Sequence, residues 1–365
     1  MSQPLNFVFF CSDPGAANSL IVLAKHLTPN YKIQMFARSA AFNHIKTNSN
    51  LSVTLVPDTV DQYSLSQFKT ILRQYMPAVV VTGTTGRDYT ERTIWQACQA
   101  LTIPCCAVLD QWMNYALRFL KKHLAYQDKL SYTQEELCLP DSIIVMDDFA
   151  KHDMANEGIP SNIIEVCGSP YYEYMGTLCK NARLGKNSTK TVLFACEPIT
   201  AVYGNRLGKK IHGYTEKTIL NALCEEIQRQ DRNKKISLQI RPHPRERKNR
   251  YTAFIARYGF ANMNSAPSVI DALKGSDMVI GMSSTLLLEA AILGKPIASI
   301  QIGASLPSLF YLEQIGRTQS IRHRYQLRRL VQHLLLGHMK PFQIEMLTKN
   351  GACHNIERHL LSLLK

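Results

Sequence analysis

Short apolar, β-branched runs alternate with longer amphipathic stretches along almost the whole chain, and no other feature constrains the fold as tightly. The runs predict strands over 5–11, 31–36, 51–56, 78–82, 104–109, 142–146 and 163–167, then again over 191–196, 236–240, 278–280 and 296–300. Helical spacing falls between them, over 18–26, 64–75, 90–101, 214–229, 268–274 and 285–293. Strands that read as continuous apolar runs are buried on both faces, and with helices between them they form parallel sheets. The expected class is therefore α/β.

The alternation breaks once. After Gly168-Ser169-Pro170 comes a polar stretch with Gly176 and Gly185 that ends Lys186-Asn187-Ser188-Thr189-Lys190, the composition of a linker. The expected organisation is an N-terminal domain over 1–175, a linker over 176–190 and a C-terminal domain over 191–365, whose tail from about 325 reads as helices only. A chain of 365 residues accommodates two such domains, and 45% hydrophobic against 19% charged residues supplies their cores. Ligands of open parallel sheets sit beyond the carboxyl ends of the strands, so the chemistry is expected in strand-to-helix loops lining a cleft between the domains.

Several classes are disfavoured. The ten cysteines form no C-x-x-C pair, and several lie in apolar runs, which suits reduced, buried thiols rather than a disulfide framework or a metal knuckle. The eleven histidines are scattered, without H-E-x-x-H spacing, and no metal is expected. No apolar run is long enough for a bilayer, and Met1-Ser2-Gln3-Pro4 lacks a basic leader, so the expectation is a soluble cytoplasmic protein. The formal charge of +14 is concentrated in 229–250 and in Arg317, Arg322, Arg324, Arg328 and Arg329. Such clusters suit a phosphorylated substrate, an anionic membrane face or nucleic acid; without a nucleic-acid-binding motif the last is not expected.

Two motifs carry the chemistry. The first runs Gly281-Met282-Ser283-Ser284-Thr285-Leu286-Leu287-Leu288-Glu289-Ala290-Ala291-Ile292-Leu293-Gly294-Lys295-Pro296. A strand end, a turn of small hydroxyl residues and an apolar helix present unpaired amides and the positive helix end, which suit phosphate. Glu289 lies one turn beyond Thr285 on the same face, where a carboxylate can accept from ribose hydroxyls. The same residues also read as a well-capped helix. The second motif is Arg241-Pro242-His243-Pro244, directly after a strand. Its prolines stiffen the turn, its guanidinium can take two phosphate oxygens, and its imidazole can donate to a leaving oxygen.

The segment 281–296, preceded by Asp277, resembles the nucleotide-sugar-binding segment of GT-B-fold enzymes: UDP-N-acetylglucosamine 2-epimerases, MurG-like glycosyltransferases and capsule or teichoic-acid polymer transferases. In that resemblance Ser283, Ser284 and Thr285 take the place of the phosphate-binding turn and Glu289 that of the ribose-binding acid. The turn departs from the Ser-Gly-Gly and doubled acid of the epimerases and is closer to the polymer transferases, which also carry an R-x-H-P turn. The resemblance implies two Rossmann-like domains with sheets facing across a cleft, C-terminal helices, and no metal. It also implies a nucleotide-sugar donor as substrate rather than a cofactor, with UDP the first nucleotide expected.

In the N-terminal half, Ser12-Asp13-Pro14-Gly15-Ala16-Ala17-Asn18 follows the first strand without the G-x-G-x-x-G of a dinucleotide site. The resemblance places this loop at the reactive centre, with Asp13 as the candidate base and Gly15 and Asn18 beside the ligand; Asp13 and Asn18 read equally as caps of the turn and helix. Asp110 is the second candidate base, in Leu109-Asp110-Gln111-Trp112-Met113-Asn114-Tyr115 with Arg118, where Trp112 offers an aromatic face to a sugar or a core side chain. Asp147-Asp148 and Gly168-Ser169-Pro170 are expected to line the same cleft, and Glu197-Pro198, Tyr203-Gly204 and Gly213-Tyr214-Thr215-Glu216 to help hold the pyrophosphate or base.

The function expected first is transfer of a sugar from a nucleotide-diphosphate donor to a hydroxyl of a sugar, lipid-linked or polymer acceptor, in cell-surface polysaccharide or glycoconjugate synthesis. The basic clusters could add a peripheral contact with an anionic membrane. A nucleotide-sugar epimerase or hydrolase of the same fold stands second, and a non-catalytic basic protein that binds polyanions third.

Overall fold

The structure is a computed structural model that describes residues 4–364 apart from 58, 60, 63, 87, 122–131, 179–188, 245, 343 and 345–350. Residues 179–188 of the expected linker, with Cys179, and Arg245 of the basic stretch thus lie outside the described residues. The chain divides into two compact units, Met1–Tyr174 with Met346–Lys365, and Met175–Glu345.

The first unit alternates as the apolar runs require: β1 (Asn6–Cys11), α1 (Pro14–Leu27), β2 (Lys32–Ala37), α2 (Ser39–Asn48), β3 (Val53–Leu55), α3 (Leu65–Tyr75), β4 (Val79–Thr82), α4 (Thr90–Leu101), β5 (Cys105–Val108), β6 (Ser142–Val145), α5 (Asp148–Asn156), β7 (Ile164–Val166) and the start of α6 (Pro170–Leu178). The strands pair in parallel in the order β3-β2-β1-β4-β5-β6-β7. Every residue of β4, β5 and β6 is buried, whereas the edge strands β3 and β7 are buried only in part, as continuous central and short edge runs imply. The order reverses between β1 and β4, which places the loops after these two strands at the switch point where doubly wound sheets bind ligands.

The second unit repeats the plan: β8 (Lys190–Ala195), α7 (Ile199–His212), α8 (Glu216–Gln230), β9 (Ile236–Arg241), α9 (Thr252–Arg257), β10 (Ala261–Met263), α10 (Val269–Lys274), β11 (Met278–Gly281), α11 (Thr285–Ile292), β12 (Ile297–Ser299), α12 (Tyr311–Gln314) and α13 (Arg324–Leu335). Its parallel sheet has the order β10-β9-β8-β11-β12, so the switch point lies between β8 and β11. The core gathers Val192, Phe194, Leu238, Ile240, Met278 and Ile280 from the strands with Leu223 and Ile227 of α8 and Leu327, Val331 and Leu334 of α13. The Gly-Lys-Pro after α11 has a structural use. The buried Lys295 ammonium donates to the carbonyls of Lys274 (3.2 Å) and Ser276 (2.8 Å), satisfying the end of α10.

Two joints differ from the expected organisation. The first residues of the expected linker, 176–178, are not linker but the end of helix α6, whose aromatic Tyr172 is buried despite the polar residues around it. The tail does not stay with the second unit. Its last helix, α14 (Ala352–Ser362), packs Cys353, Ile356 and Leu360 into the core of the first, beside Leu23, Ala24 and Leu27 of α1. Burying Ile356 and Leu360 there contributes roughly 1.5–3 kcal/mol each. The Glu173 carboxylate meets the incoming helix, accepting from the amides of Gly351 (2.7 Å) and Cys353 (3.4 Å), a favourable place for negative charge.

Candidate active site

At the switch point of the first unit, three carboxylates converge on the start of α1. Asp13 caps that helix, its Oδ1 accepting from the Ala16 amide at 3.0 Å, so the cap reading of this residue is realised. Gly15 is required by close approach: a Cβ there would stand 2.3 Å from Asp110 Oδ2 and 3.2 Å from Asp13 Oδ1. Only a residue without a side chain lets the loop after β5 bring Asp110 against this turn. Asn18 points elsewhere on α1, its Oδ1 lying 2.7 Å from His44 Nε2.

Asp110 is the most distinctive of these groups. Arg118 holds it at 3.0 Å through Nη1, and the same guanidinium donates to the Thr84 carbonyl (2.7 Å), Thr84 Oγ1 (3.0 Å) and Gln111 Oε1 (3.1 Å). Burial pushes the Asp110 carboxyl up to about 6, Arg118 opposing the rise and Asp13 adding to it. A carboxyl tuned towards neutrality, fixed by a second group, is equipped to take a proton near pH 7.

Glu91, which the sequence reading passed over, completes the group. It lies in the first turn of α4, is 1% exposed, and accepts from the Ser12 amide at 3.1 Å. Among the described residues its Oε2 has no hydrogen-bond partner. Burial, then the charges of Asp88 and Asp13, drive its carboxyl well above the ordinary glutamate range.

Trp112 takes the core reading, and Asp147 is its hydrogen-bond partner. The indole is buried, stacks on Tyr172 with ring centroids 5.5 Å apart, and donates to Asp147 Oδ2 at 2.9 Å. Asp147 also caps α5 by accepting from the Ala150 amide at 2.8 Å, and Ser169 Oγ accepts from the Tyr172 amide at 3.3 Å. Core packing won over display because the one polar atom of the indole found a buried acceptor.

In the second unit the small-residue turn lies where expected, but a side chain of the chain itself already engages it. The Glu197 carboxylate, from the loop after β8, accepts from the Ser283 amide and, at 2.9 Å, from Ser283 Oγ. Burial pushes the Glu197 carboxyl up, against the Ser283 hydroxyl and the amides of the turn, which favour its charge. Ser284 caps α11, accepting from the Leu286 amide at 3.2 Å, and Thr285 opens the helix with its side chain partly exposed. A diphosphate that reaches Ser283 and Ser284 must therefore displace Glu197, a competition that the motif alone does not reveal.

Arg241 ends β9 with its guanidinium anchored through Nη1 to Asn264 Oδ1 (2.7 Å) and the Ala266 carbonyl (3.2 Å). Burial lowers its pKa, while the charges of Glu289 and Asp271 raise it, which brings Arg241 and Glu289 into one electrostatic neighbourhood. Glu289 itself is buried on α11. His243 is half-buried in a turn pinned by Glu246, which accepts from its amide at 2.9 Å and from the Tyr251 hydroxyl at 2.8 Å.

The other segments expected to help hold the pyrophosphate or base have structural partners of their own. Tyr203-Gly204 lies inside α7 at a kink rather than in a loop, and Gly213 allows a backbone crossing in which a Cβ would fall 1.8 Å from the Gly303 carbonyl. Thr215 caps α8, and the fully buried Glu216 accepts from the Thr200 amide at 3.1 Å. The basic clusters are partly neutralised by Arg250–Glu216 (3.3 Å), Arg322–Glu313 (3.5 Å) and Arg324–Glu225 (3.1 Å). No helix among the described residues is long and apolar enough to cross a membrane.

Two parallel, doubly wound units of this kind define a GT-B-like α/β protein. The chain belongs to the family described as protein of unknown function DUF354, whose model matches residues 99–329. No curated protein matches it in sequence. Among solved structures it is similar to the UDP-GlcNAc 2-epimerase of Methanocaldococcus jannaschii in complex with UDP-GlcNAc and UDP, at 15% identity, over 98% of this chain and 99% of that one, with a TM-score of 0.66. A glycosyltransferase from Rickettsia africae superposes at 12% identity over 99% and 96% of the two chains, TM-score 0.56. The wall teichoic acid polymerase TagF does so at 12% over 98% and 88%, TM-score 0.51.

Proposed function

We propose that this protein is a glycosyltransferase whose second unit binds a nucleotide-diphosphate sugar, UDP-linked in the first instance, and whose first unit carries the group that deprotonates an acceptor hydroxyl. The observation that supports this reading is that Arg241 and His243 follow the carboxyl end of β9 and Thr285 opens the helix after β11, where α/β sheets bind ligands, with the charge of Glu289 on α11 acting on Arg241. In this reading Arg241 and His243 meet the diphosphate together with the start of α11, Ser283 and Ser284 shape the turn through Glu197, and Glu289 accepts from the ribose. Cations fixed at the leaving oxygen stabilise charge that grows as the bond to the sugar breaks. Asp110 serves as base, with Asp13 and Gly15 forming the wall against which it is held. No cofactor enters the scheme.

Thermal-shift measurement with UDP-, GDP-, CDP- and dTDP-sugars tests the reading directly. Ligand at about 100 times its Kd should stabilise by roughly 2.7 kcal/mol. A panel without any shift, with DNA or anionic vesicles shifting instead, would favour polyanion binding. Glu289→Gln is expected to weaken nucleotide binding by about 1.5 kcal/mol, roughly tenfold, because an amide is a poorer acceptor than a carboxylate. Isothermal titration checks this, and unchanged affinity removes Glu289 from the site.

One observation favours a second reading. The charge of Asp13 acts on both Glu91 and Asp110 around a single helix start, an acid–base set larger than hydroxyl deprotonation needs. An epimerase or hydrolase would use it on the sugar itself, and incubation of a UDP-sugar without acceptor would then give isomerised or hydrolysed product.

A further inference from the structure

At the end of α1 away from its switch-point start, the first unit collects three metal-ligating side chains that the sequence scatters. His26 lies in the last turn of α1, and His354 and Glu357 lie three residues apart on α14, which puts them on one face of that helix. His26 Nε2 stands 2.9 Å from Glu357 Oε2, and His354 Nδ1 stands 3.9 Å from the same oxygen. The three donor atoms all fall within 4.8 Å of one another. Ligands of a tetrahedral ion bound at about 2.0–2.2 Å are about 3.3 Å apart, so the cluster needs only a small closing movement. The exposed His354 side chain, 67% accessible, is free to make it.

We propose that His26, His354 and Glu357 bind a divalent transition-metal ion of the zinc class and thereby pin α14 to α1. Two imidazoles and one carboxylate suit Zn²⁺, Co²⁺ or Ni²⁺ and not the all-oxygen shells of Ca²⁺ or Mg²⁺. The surroundings are built for it. The Tyr31 hydroxyl donates to Glu357 Oε1 at 2.9 Å, which orients the carboxylate and leaves Oε2 turned to the histidines. The carbonyl end of α1, where His26 sits, favours positive charge. Three protein ligands leave coordination positions for water, so the ion acts as a clasp between two helices. The site lies within one unit and does not depend on the nucleotide-sugar reading.

The test uses the full chain, stripped with a chelator and titrated with ZnCl₂ while binding is followed by calorimetry and the α14 amides by hydrogen exchange. Stoichiometric binding, with slower exchange across 352–362, is expected. CoCl₂ should give visible d–d absorption of a low-coordinate imidazole site. His26→Gln and His354→Ala should each weaken Zn²⁺ binding at least tenfold, and Tyr31→Phe should weaken it about tenfold by freeing the carboxylate. The substituted histidines are exposed enough for these variants to fold, which circular dichroism of the metal-free proteins verifies. Affinity unchanged in both histidine variants would place the ion elsewhere on the chain, and binding without protection of α14 would remove the clasp; either result overturns the proposal.

Discussion

Asp110→Asn is expected to lower turnover about 10³-fold at pH 7 while leaving the fold and nucleotide binding intact. The amide keeps an oxygen for Arg118 and fits the space against Gly15, so the substitution removes little besides the ability to take a proton. A positioned base contributes roughly 10²–10⁴-fold. The pH profile gives an independent reading. With the wild-type carboxyl at about 6, the ionised, proton-accepting fraction grows as pH rises through that value, so the rate should climb between about pH 5 and 7 and then level. Asp13→Asn is the companion variant: asparagine caps a helix as well as aspartate, so the rate should change little if Asp110 is the base. Steady-state rates for the two variants decide it. A loss confined to Asp13→Asn would transfer the role to Asp13.

Arg241→Ala is expected to reduce turnover by roughly 10²-fold or more, with a smaller loss of ground-state affinity for the nucleotide sugar. Asn264 and the Ala266 carbonyl already hold the guanidinium, so it need not reorganise when charge appears on the leaving diphosphate, and fixed donors of this kind gain most in the transition state. The exposed Arg247→Ala is the control, and only a small, salt-dependent change is expected there. Separate measurement of kcat and of Kd distinguishes the outcomes. Equal, minor losses in both variants would make the stretch a solvated basic face.

The strands were the legible part of this fold, because a fully buried parallel strand must be a continuous apolar run and few other elements are. β10 escaped that logic: Ala261-Asn262-Met263 is a three-residue edge strand with one buried residue and no run to detect. Helix α7 escaped for another reason: it carries a non-helical glycine at 204, which breaks its helical spacing into two short stretches. In the candidate site, Asp110, Arg241 and Glu289 could be found from their positions after strands or along a helix face. The partnership of Glu197 with Ser283 spans 86 residues, that of His26 with Glu357 spans 331, and neither leaves a trace in local spacing.

The return of α14 has a consequence for how the protein is made. The core of the first unit lacks Cys353, Ile356 and Leu360 until they leave the ribosome, although its strands are complete before residue 170. At about 5–20 residues per second, the roughly 185 residues between these points leave a half-finished sheet waiting for some 10–40 s, while the second unit, contiguous in the chain, has all its parts. Nascent chains stalled before residue 352 are accordingly expected to be cut by protease in the first unit and spared in the second, and equal resistance of the two would show that the sheet closes unaided. Birth order and folding order are then expected to be reversed, the end synthesised first being the last to become native.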